Sequence, residues 1–234
     1  MINLTAFERE GFAIEPSLLS SLEIAQLIAL IEQHGATETH RGGVRDIMHR
    51  IPALQAVAQH GSVRSIVDHI LGPQAFAVRS TLFDKTPDAN WKVPWHQDLT
   101  VAVAERIDTP GYGPWSTKAG VTHVQPPTGV LASMLTVRIH LDPCPATNGA
   151  LRVIPGTHQL GRLNQNNVEP HISEEAAICC AAGSGAALIM RPLLLHASSA
   201  STDPGHRRVL HFDFAATPLD GNLRWAMGGQ PAQR

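Results

Sequence analysis

Apolar positions recur with two different periods along the chain. Over residues 17–34 they fall at Leu22, Ile24, Leu27, Ile28, Leu30 and Ile31, a helical spacing, with Ser20 or Ser21 placed to cap the start. Shorter helices are expected over 52–60 and 62–71, the second closed by Gly72-Pro73. From Ala75 the pattern shifts to short β-rich runs separated by Gly, Pro, Asn and Asp, at 76–83, 92–95, 130–141, 151–154, 186–190, 193–196 and 208–215. Helices followed by many short strands predict an α+β chain, mainly β, with helices buttressing one face of a jelly-roll. Two stretches, 99–129 and 160–184, are too long and too rich in Gly and Pro for simple turns, and such segments are commonly lids or binding loops. One domain over 1–234 is expected: a helical buttress at 1–74, a jelly-roll core at 75–216 with a lid-like insertion at 99–129, and a tail at 217–234.

Composition narrows the chemistry. A net charge of -2 gives no basic bias toward a phosphate backbone, so no nucleic-acid partner is expected. No apolar run is long enough to span a membrane, and the N-terminus lacks a basic region followed by an apolar stretch, so a soluble, non-exported protein is expected. Cys144, Cys179 and Cys180 form neither a disulfide framework nor a zinc knuckle, which fits a reducing cytoplasm. Thirteen histidines against one tyrosine raise the prospect of a metal site without locating it.

Pro94-Trp95-His96-Gln97-Asp98 ends a short β run. Residues i and i+2 of a strand point the same way, so His96 and Asp98 can aim an imidazole and a carboxylate at one point. A His-x-Asp triplet is weak evidence by itself. A third ligand should come from a distant strand, and His196 fits, since the apolar run Leu193-Leu-Leu delivers it into small polar residues. Two histidines and one carboxylate leave three positions on iron open for co-substrate and oxygen, whereas zinc on the same ligands would serve hydrolysis. Arg207 follows across a turn, and alternation puts Arg207, Val209, His211 and Asp213 on one face and Arg208, Leu210, Phe212 and Phe214 on the other. The polar row suits a site inside a barrel, and a guanidinium fork suits the distal carboxylate of 2-oxoglutarate.

Several ordered motifs together carry a resemblance. Phe7-Glu-Arg-Glu-Gly-Phe, Trp95-His-Gln-Asp, Leu141-Asp, Asn148-Gly-Ala-Leu, Pro155-Gly-Thr-His, and Leu195-His-Ala-Ser followed by Arg207 resemble the phytanoyl-CoA dioxygenase family over nearly the whole chain. The resemblance implies a cupin-like double-stranded β-helix, Fe(II) on His96, Asp98 and His196, and 2-oxoglutarate gripped by Arg207 with Ser198 and Gln97 beside it. It also implies O2 as oxidant, ascorbate as a stimulant, and hydroxylation of an unactivated C–H bond of a small molecule with release of succinate and carbon dioxide. Asp98 speaks against the halogenase variant of this chemistry. Arg138 stands where many relatives carry an aromatic residue, and 99–129 is longer than in the acyl-CoA-hydroxylating member, which turns attention away from an acyl-CoA substrate.

Arg138, Trp115 and Lys118 are the candidate substrate contacts, with 99–129 folding over the metal and His123 adding to its amphipathic character. An anionic or polar handle on the substrate would answer Arg138, though a protein acid could equally pair it. Lys85 could reach the co-substrate but is read first as a solvated lysine, Cys179-Cys180 as core packing, and Pro155-Gly-Thr-His158 as a structural turn. His40, His49, His60 and His69 lie in the helical half and are given no chemistry. Two other readings stay open: a non-catalytic metal- or 2-oxoglutarate-binding sensor or scaffold, and a cupin-like metalloenzyme that does not use 2-oxoglutarate. The sequence names no substrate and no oligomeric state.

Overall fold

The computed structural model describes residues 2–35, 43–164, 168–203 and 205–227; His40 lies outside them. The helical half runs α1 (Leu4–Glu10), β1 (Phe12–Glu15), α2 (Ser21–Gln33), β2 (Val44–Arg45), α3 (Ile47–Arg50), a 3-10 turn (Pro52–Leu54), α4 (Gln55–Ala58) and α5 (Gly61–Leu71). There follow β3 (Phe76–Lys85), β4 (Val93–His96), β5 (Val101–Val103), β6 (Trp115–Lys118), β7 (Val121–Val124), α6 (Thr128–Ala132) and β8 (Leu135–His140). The remaining strands are β9 (Leu151–Val153), β10 (Ile178–Cys180), β11 (Ala187–Met190), β12 (His196–Ser198) and β13 (Arg207–Ala215).

A six-stranded antiparallel sheet, β1-β11-β8-β13-β3-β2, and a four-stranded one, β10-β9-β12-β4, make the double-stranded β-helix. Leu151, Val153 and Cys180 of the smaller sheet pack against Leu188 and Met190 of the larger, joining the two. On the outer face of the larger sheet, Val137, Ile139, Leu210, Phe212 and Phe214 meet Ile24, Ile31, Leu54, Val63 and Val67 from the helices. Alternation therefore sorts β13 as read: its apolar row supports the helices and its polar row faces the barrel interior. Arg208 is on the outer side, where Asp142 and Glu32 take its guanidinium at 2.7 and 2.8 Å.

Local chemistry explains where elements begin. Ser20, not Ser21, caps α2: its Oγ accepts from the Glu23 N–H, and the Glu23 carboxylate accepts from the Ser20 N–H in return. Leu22 lies off the buried stripe and is exposed. The expected strand over 130–141 begins at Leu135, because Pro126-Pro127 start a helical turn that takes up Val130 to Ala132. Leu193 to Leu195 are a buried turn after Pro192, and β12 starts at His196 itself.

The stretch 99–129 is built where irregular chain was expected. It carries a third sheet, β5-β7-β6, and enters α6. Val101, Val103 and Val124 are buried in a cluster with Tyr112, Leu219, Leu223 and Trp225, so the C-terminal chain packs against this sheet. Among the described residues no helix is long and apolar enough to cross a membrane.

Phe212 has no exposed surface beneath the helices. Phe212→Ala should lower stability by about 3–5 kcal/mol through lost burial and the cavity left behind. Urea unfolding measures it, and a loss under about 1 kcal/mol would show that this face is not tightly packed.

Candidate metal centre

The centre is assembled by strand register. β12 runs antiparallel to β4 with His196 directly opposite His96, which sets the ring centroids 4.1 Å apart. The chain leaves β4 after His96, and the Asp98 N–H donates to Pro192 O at 2.9 Å, holding Asp98 beside the same pair. Asp98 Oδ2 lies 3.9 Å from His196 Nε2, and one ligand atom from each of the three residues falls within 4.8 Å of the others. These three could hold a metal ion.

Both imidazoles are oriented by the same local device. His96 Nδ1 meets Pro94 O at 2.8 Å and His196 Nδ1 meets Leu194 O at 2.9 Å. A carbonyl only accepts, so each Nδ1 carries a hydrogen, and Nε2 is the nitrogen whose lone pair a metal can take when the ring is neutral. Burial, helped by the neighbouring His96, pushes the His196 imidazole down to about 3, against the pull of Asp98. Burial works against ionising Asp98, but His196 and Arg79 outweigh it and hold the carboxyl well below the usual carboxylate range. Two imidazoles presenting Nε2 and a carboxylate make the donor set that a divalent metal requires.

A polar relay stands behind Asp98. Arg79 NH2 is 3.9 Å from Asp98 Oδ2, and Arg79 Nε donates to Asp213. Asp213 also accepts from Thr136 Oγ1 at 2.6 Å and faces His211 Nε2 at 3.0 Å. Arg138 NH1 lies 2.8 Å from His211 Nδ1, and because a guanidinium only donates, His211 Nε2 carries the proton and donates to Asp213. Burial opposes the charge on Asp213, yet Arg79 and His211 bring its carboxyl down to about 2.

At another end of the cavity, Arg207 pairs across the ladder with Lys85. Arg207 NH1 donates to Gly149 O, while its buried Nε has no partner. Lys85 is not solvated, contrary to the expectation from sequence. β3 runs two residues further than expected, to Lys85, which shares an inward phase with Arg79, Thr81 and Phe83 and is 1% exposed. Its Nζ donates to Ser199 O at 2.6 Å and Ser198 Oγ at 3.3 Å. Burial and the charge of Arg207 lower it to about 7. A carboxylate placed here would answer the orphaned Arg207 Nε and the crowded cations together, so the residues fit an acidic co-substrate.

The other candidates sort as follows. Gln97 lines the cavity, but its amide is committed to backbone: Nε2 donates to Gly161 O and Leu193 O at 2.8 and 2.7 Å, and Oε1 accepts from Leu163 N at 2.8 Å. It ties the start of the 160–184 stretch to the metal-bearing strand. Arg138 lies over the Phe83 ring, its Nε is unpartnered, and no carboxylate of the described residues pairs with it. Burial, then Arg207, lower its guanidinium to about 10. Lys118 lines the cavity and donates to Thr100 Oγ1 at 3.0 Å. Trp115 packs on the third sheet's cluster with Arg106 over its ring and does not line the cavity, and His123 is buried behind it.

Thr157 makes a structural turn, donating to Ile154 O and accepting from Leu195 N just before His196. Cys180 is buried as expected, whereas Cys179 is exposed, the two having opposite phases on β10. Sequence reasoning missed Arg79 and Arg45. The inward phase of β3 could have revealed Arg79, but a two-residue β2 gives Arg45 no pattern to follow.

The cavity over the triad has a volume of about 380 Å³ and is walled by both sheets and by Lys118 of the third. A double-stranded β-helix with two histidines and a carboxylate converging in its interior defines the class of non-haem, 2-oxoglutarate-dependent oxygenases. The chain belongs to the phytanoyl-CoA dioxygenase (PhyH) family, matched over residues 7–209. The family uses Fe(II), 2-oxoglutarate and O2.

Solved structures agree on the fold. The non-haem α-ketoglutarate-dependent carbocyclase SnoK of nogalamycin biosynthesis is 16% identical with a TM-score of 0.69, over 95% of this chain and 84% of its own. EctD from S. alaskensis, in its apoform, is 17% identical with a TM-score of 0.70, over 93% and 78%. The epimerase SnoN, solved with Fe3+, α-ketoglutarate and nogalamycin RO, is 15% identical with a TM-score of 0.68, over 97% and 84%. No curated protein matches the chain by sequence.

Lys85 gives the metal-free protein a pH signature. Its value falls from 10.5 to about 7 on folding, so below that value both states hold the proton and the fold bears the whole cost of a buried ammonium. Between about pH 7 and 10 the unfolded chain binds more protons than the folded one, so stability rises with pH. Lys85→Met should remove much of that rise in melting experiments across this window, and an unchanged slope would show that Lys85 is not its source.

Proposed function

We propose that this protein is an Fe(II)- and 2-oxoglutarate-dependent dioxygenase that hydroxylates an unactivated C–H bond of a small molecule, releasing succinate and carbon dioxide. The observation that carries the reading is the convergence of His96, Asp98 and His196 in a cavity that also presents the buried, half-satisfied guanidinium of Arg207. His96 and His196 would hold the metal through Nε2 and Asp98 through a carboxylate oxygen, leaving one face for co-substrate and oxygen. When bound, iron and 2-oxoglutarate supply the oxidative decarboxylation that activates O2 for insertion into the substrate.

The chain's own groups have definite tasks. Arg207 would take the distal carboxylate of 2-oxoglutarate as a charge-assisted fork, with Ser198 and Lys85 at its side. Arg79 keeps Asp98 ionised and in place, and is itself braced by Asp213. The Pro94 and Leu194 carbonyls fix the tautomer and tilt of the two rings, so that little reorganisation accompanies metal uptake. Gln97 holds the 161–163 backbone against β4, helping to close the cavity to water. The solved relatives named above include a carbocyclase and an epimerase, so hydroxylation as the outcome is the part of the proposal that product analysis must decide.

Purified protein supplied with Fe(II), 2-oxoglutarate and a small-molecule panel should release succinate above background, and His196→Ala should not. Arg207→Ala should weaken 2-oxoglutarate binding by about 2–5 kcal/mol, whereas Arg208→Ala should leave it nearly unchanged and lower stability. Binding of 2-oxoglutarate without succinate under any condition would mark a sensor or scaffold instead. A reversed ranking of the two arginines in titrations would show that the faces of β13 have been exchanged.

A further inference from the structure

A second group of cations in the same cavity is left over once the co-substrate has been placed. Arg45 on β2 is opposite Thr81 on β3, Thr81 is opposite His211 on β13, and His211 is opposite Arg138 on β8. Directly opposed residues in a ladder share a face, so the row runs across four strands with a guanidinium at each end. All four of its members line the cavity. The Arg45 guanidinium has no hydrogen bond and no ion pair with any described residue.

Lys118 reaches the same region from β6 and, among the described residues, donates only to Thr100 Oγ1. Arg79 NH1 donates to the carbonyl of the same Thr100 at 3.5 Å, and Arg45, Arg79 and Val121, the ladder partner of Lys118, line one small pocket, so the three cations are neighbours. Burial, then Arg45 and Arg79, lower the Lys118 ammonium. Burial and Arg79 depress Arg45 in the same way, while Asp98 favours the charged form of both residues. Through Thr100 and Arg79, which reaches Asp98 at 3.9 Å, Lys118 is tied to the Asp98 side of the triad, whereas Arg207 is paired with Lys85. His123 beside Lys118 is held neutral, lowered by burial to about 4, and adds no charge.

The charges do not balance. Arg45, Arg79, Lys118, Arg138 and Arg207 all line the cavity, and Asp98 is the single carboxylate among the described residues that line it. Asp213 answers Arg79 from behind. The two carboxylates of 2-oxoglutarate would be used by the metal and by Arg207. Like charges held together in a partly buried site are costly without a counter-ion, and among the described residues no carboxylate lies within ion-pair distance of Arg45 or Lys118, on which Asp98 acts only from further away.

Resting on the function proposed above, we infer that the prime substrate carries an oxyanion, a carboxylate or a phosphate, gripped between Arg45 and Lys118, with the carbon to be oxidised held over the triad. The handle would fix the orientation of a small substrate in the cavity.

The test uses the full chain loaded with Ni(II) and N-oxalylglycine, a redox-inert metal and co-substrate mimic, titrated calorimetrically with two matched pairs. Hexanoate is compared with hexanamide, and phenyl phosphate with phenol, so the pair that responds distinguishes carboxylate from phosphate. At least one anion should bind about tenfold or more tightly than its neutral counterpart, and that advantage should shrink to a few-fold in Arg45→Met and in Lys118→Met. Affinity for N-oxalylglycine should stay within about twofold of wild type in both variants, since Arg207 is untouched. Equal binding of anions and neutral partners, or an anion advantage that survives both substitutions, overturns the inference while leaving the oxygenase reading intact. Failure of the wild-type protein to take up Ni(II) and N-oxalylglycine overturns both.

Discussion

The pairing of His196 with His96 across β12 and β4 is the constraint on which the rest of the molecule depends. Antiparallel register is discrete, and a slip of one residue would turn each imidazole to the opposite face of the sheet. Several features guard it. Thr157 accepts from the Leu195 N–H immediately before His196, Pro192 ends β11's continuation and receives the Asp98 N–H, and Ile154 N donates to Leu195 O. Each makes the shifted register lose buried hydrogen bonds, a cost of about 1–3 kcal/mol for every group left unsatisfied. The long apolar segment before His196 is thus less a strand than an anchor, with Leu193, Leu194 and Leu195 all buried.

Electrostatics then divide the interior into regions. Arg138, His211, Asp213, Arg79 and Asp98 form one connected line of polar contacts across the larger sheet, so the carboxylate of the proposed centre is coupled to groups well away from it. Arg207 and Lys85 form a second, purely cationic region, and Arg45 with Lys118 a third. A fold carries such buried positive charge only at a cost in stability, offset here by the apolar outer face of the sheet under α2 and α5. The unbalanced charge points to acidic ligands. The composition of the whole chain, with a net charge of -2, conceals this because its acids are elsewhere.

Much of this was legible in the sequence, for identifiable reasons. The alternation along β13 is long and clean, so the inward row with His211 and Asp213 and the outward row with Phe212 could be sorted from the order of residues alone. The nearness of His96 and Asp98 was readable from their spacing at a strand end, although Asp98 lies past β4 and owes its place to the Pro192 carbonyl. Lys85 was misjudged because β3 continues past the run that its apolar residues advertise, and Arg45 was invisible because β2 has only two residues and takes its direction from its neighbour. The sheet inside 99–129 was missed for a related reason: its strands are three or four residues long, below the length at which alternation can be told from chance. Trp115 looked like a ligand contact from its place in that stretch, whereas tertiary packing turns it toward Val101 and Val124.

The central claim is that one strand register places two imidazoles on a single iron. X-ray absorption of the Fe(II)-loaded protein reads this directly, since histidine ligands give a distinctive outer-shell scattering pattern. The account predicts two imidazoles in the wild-type protein and one in each of His96→Ala and His196→Ala. An iron environment without imidazole, or one unaltered by both substitutions, would contradict it.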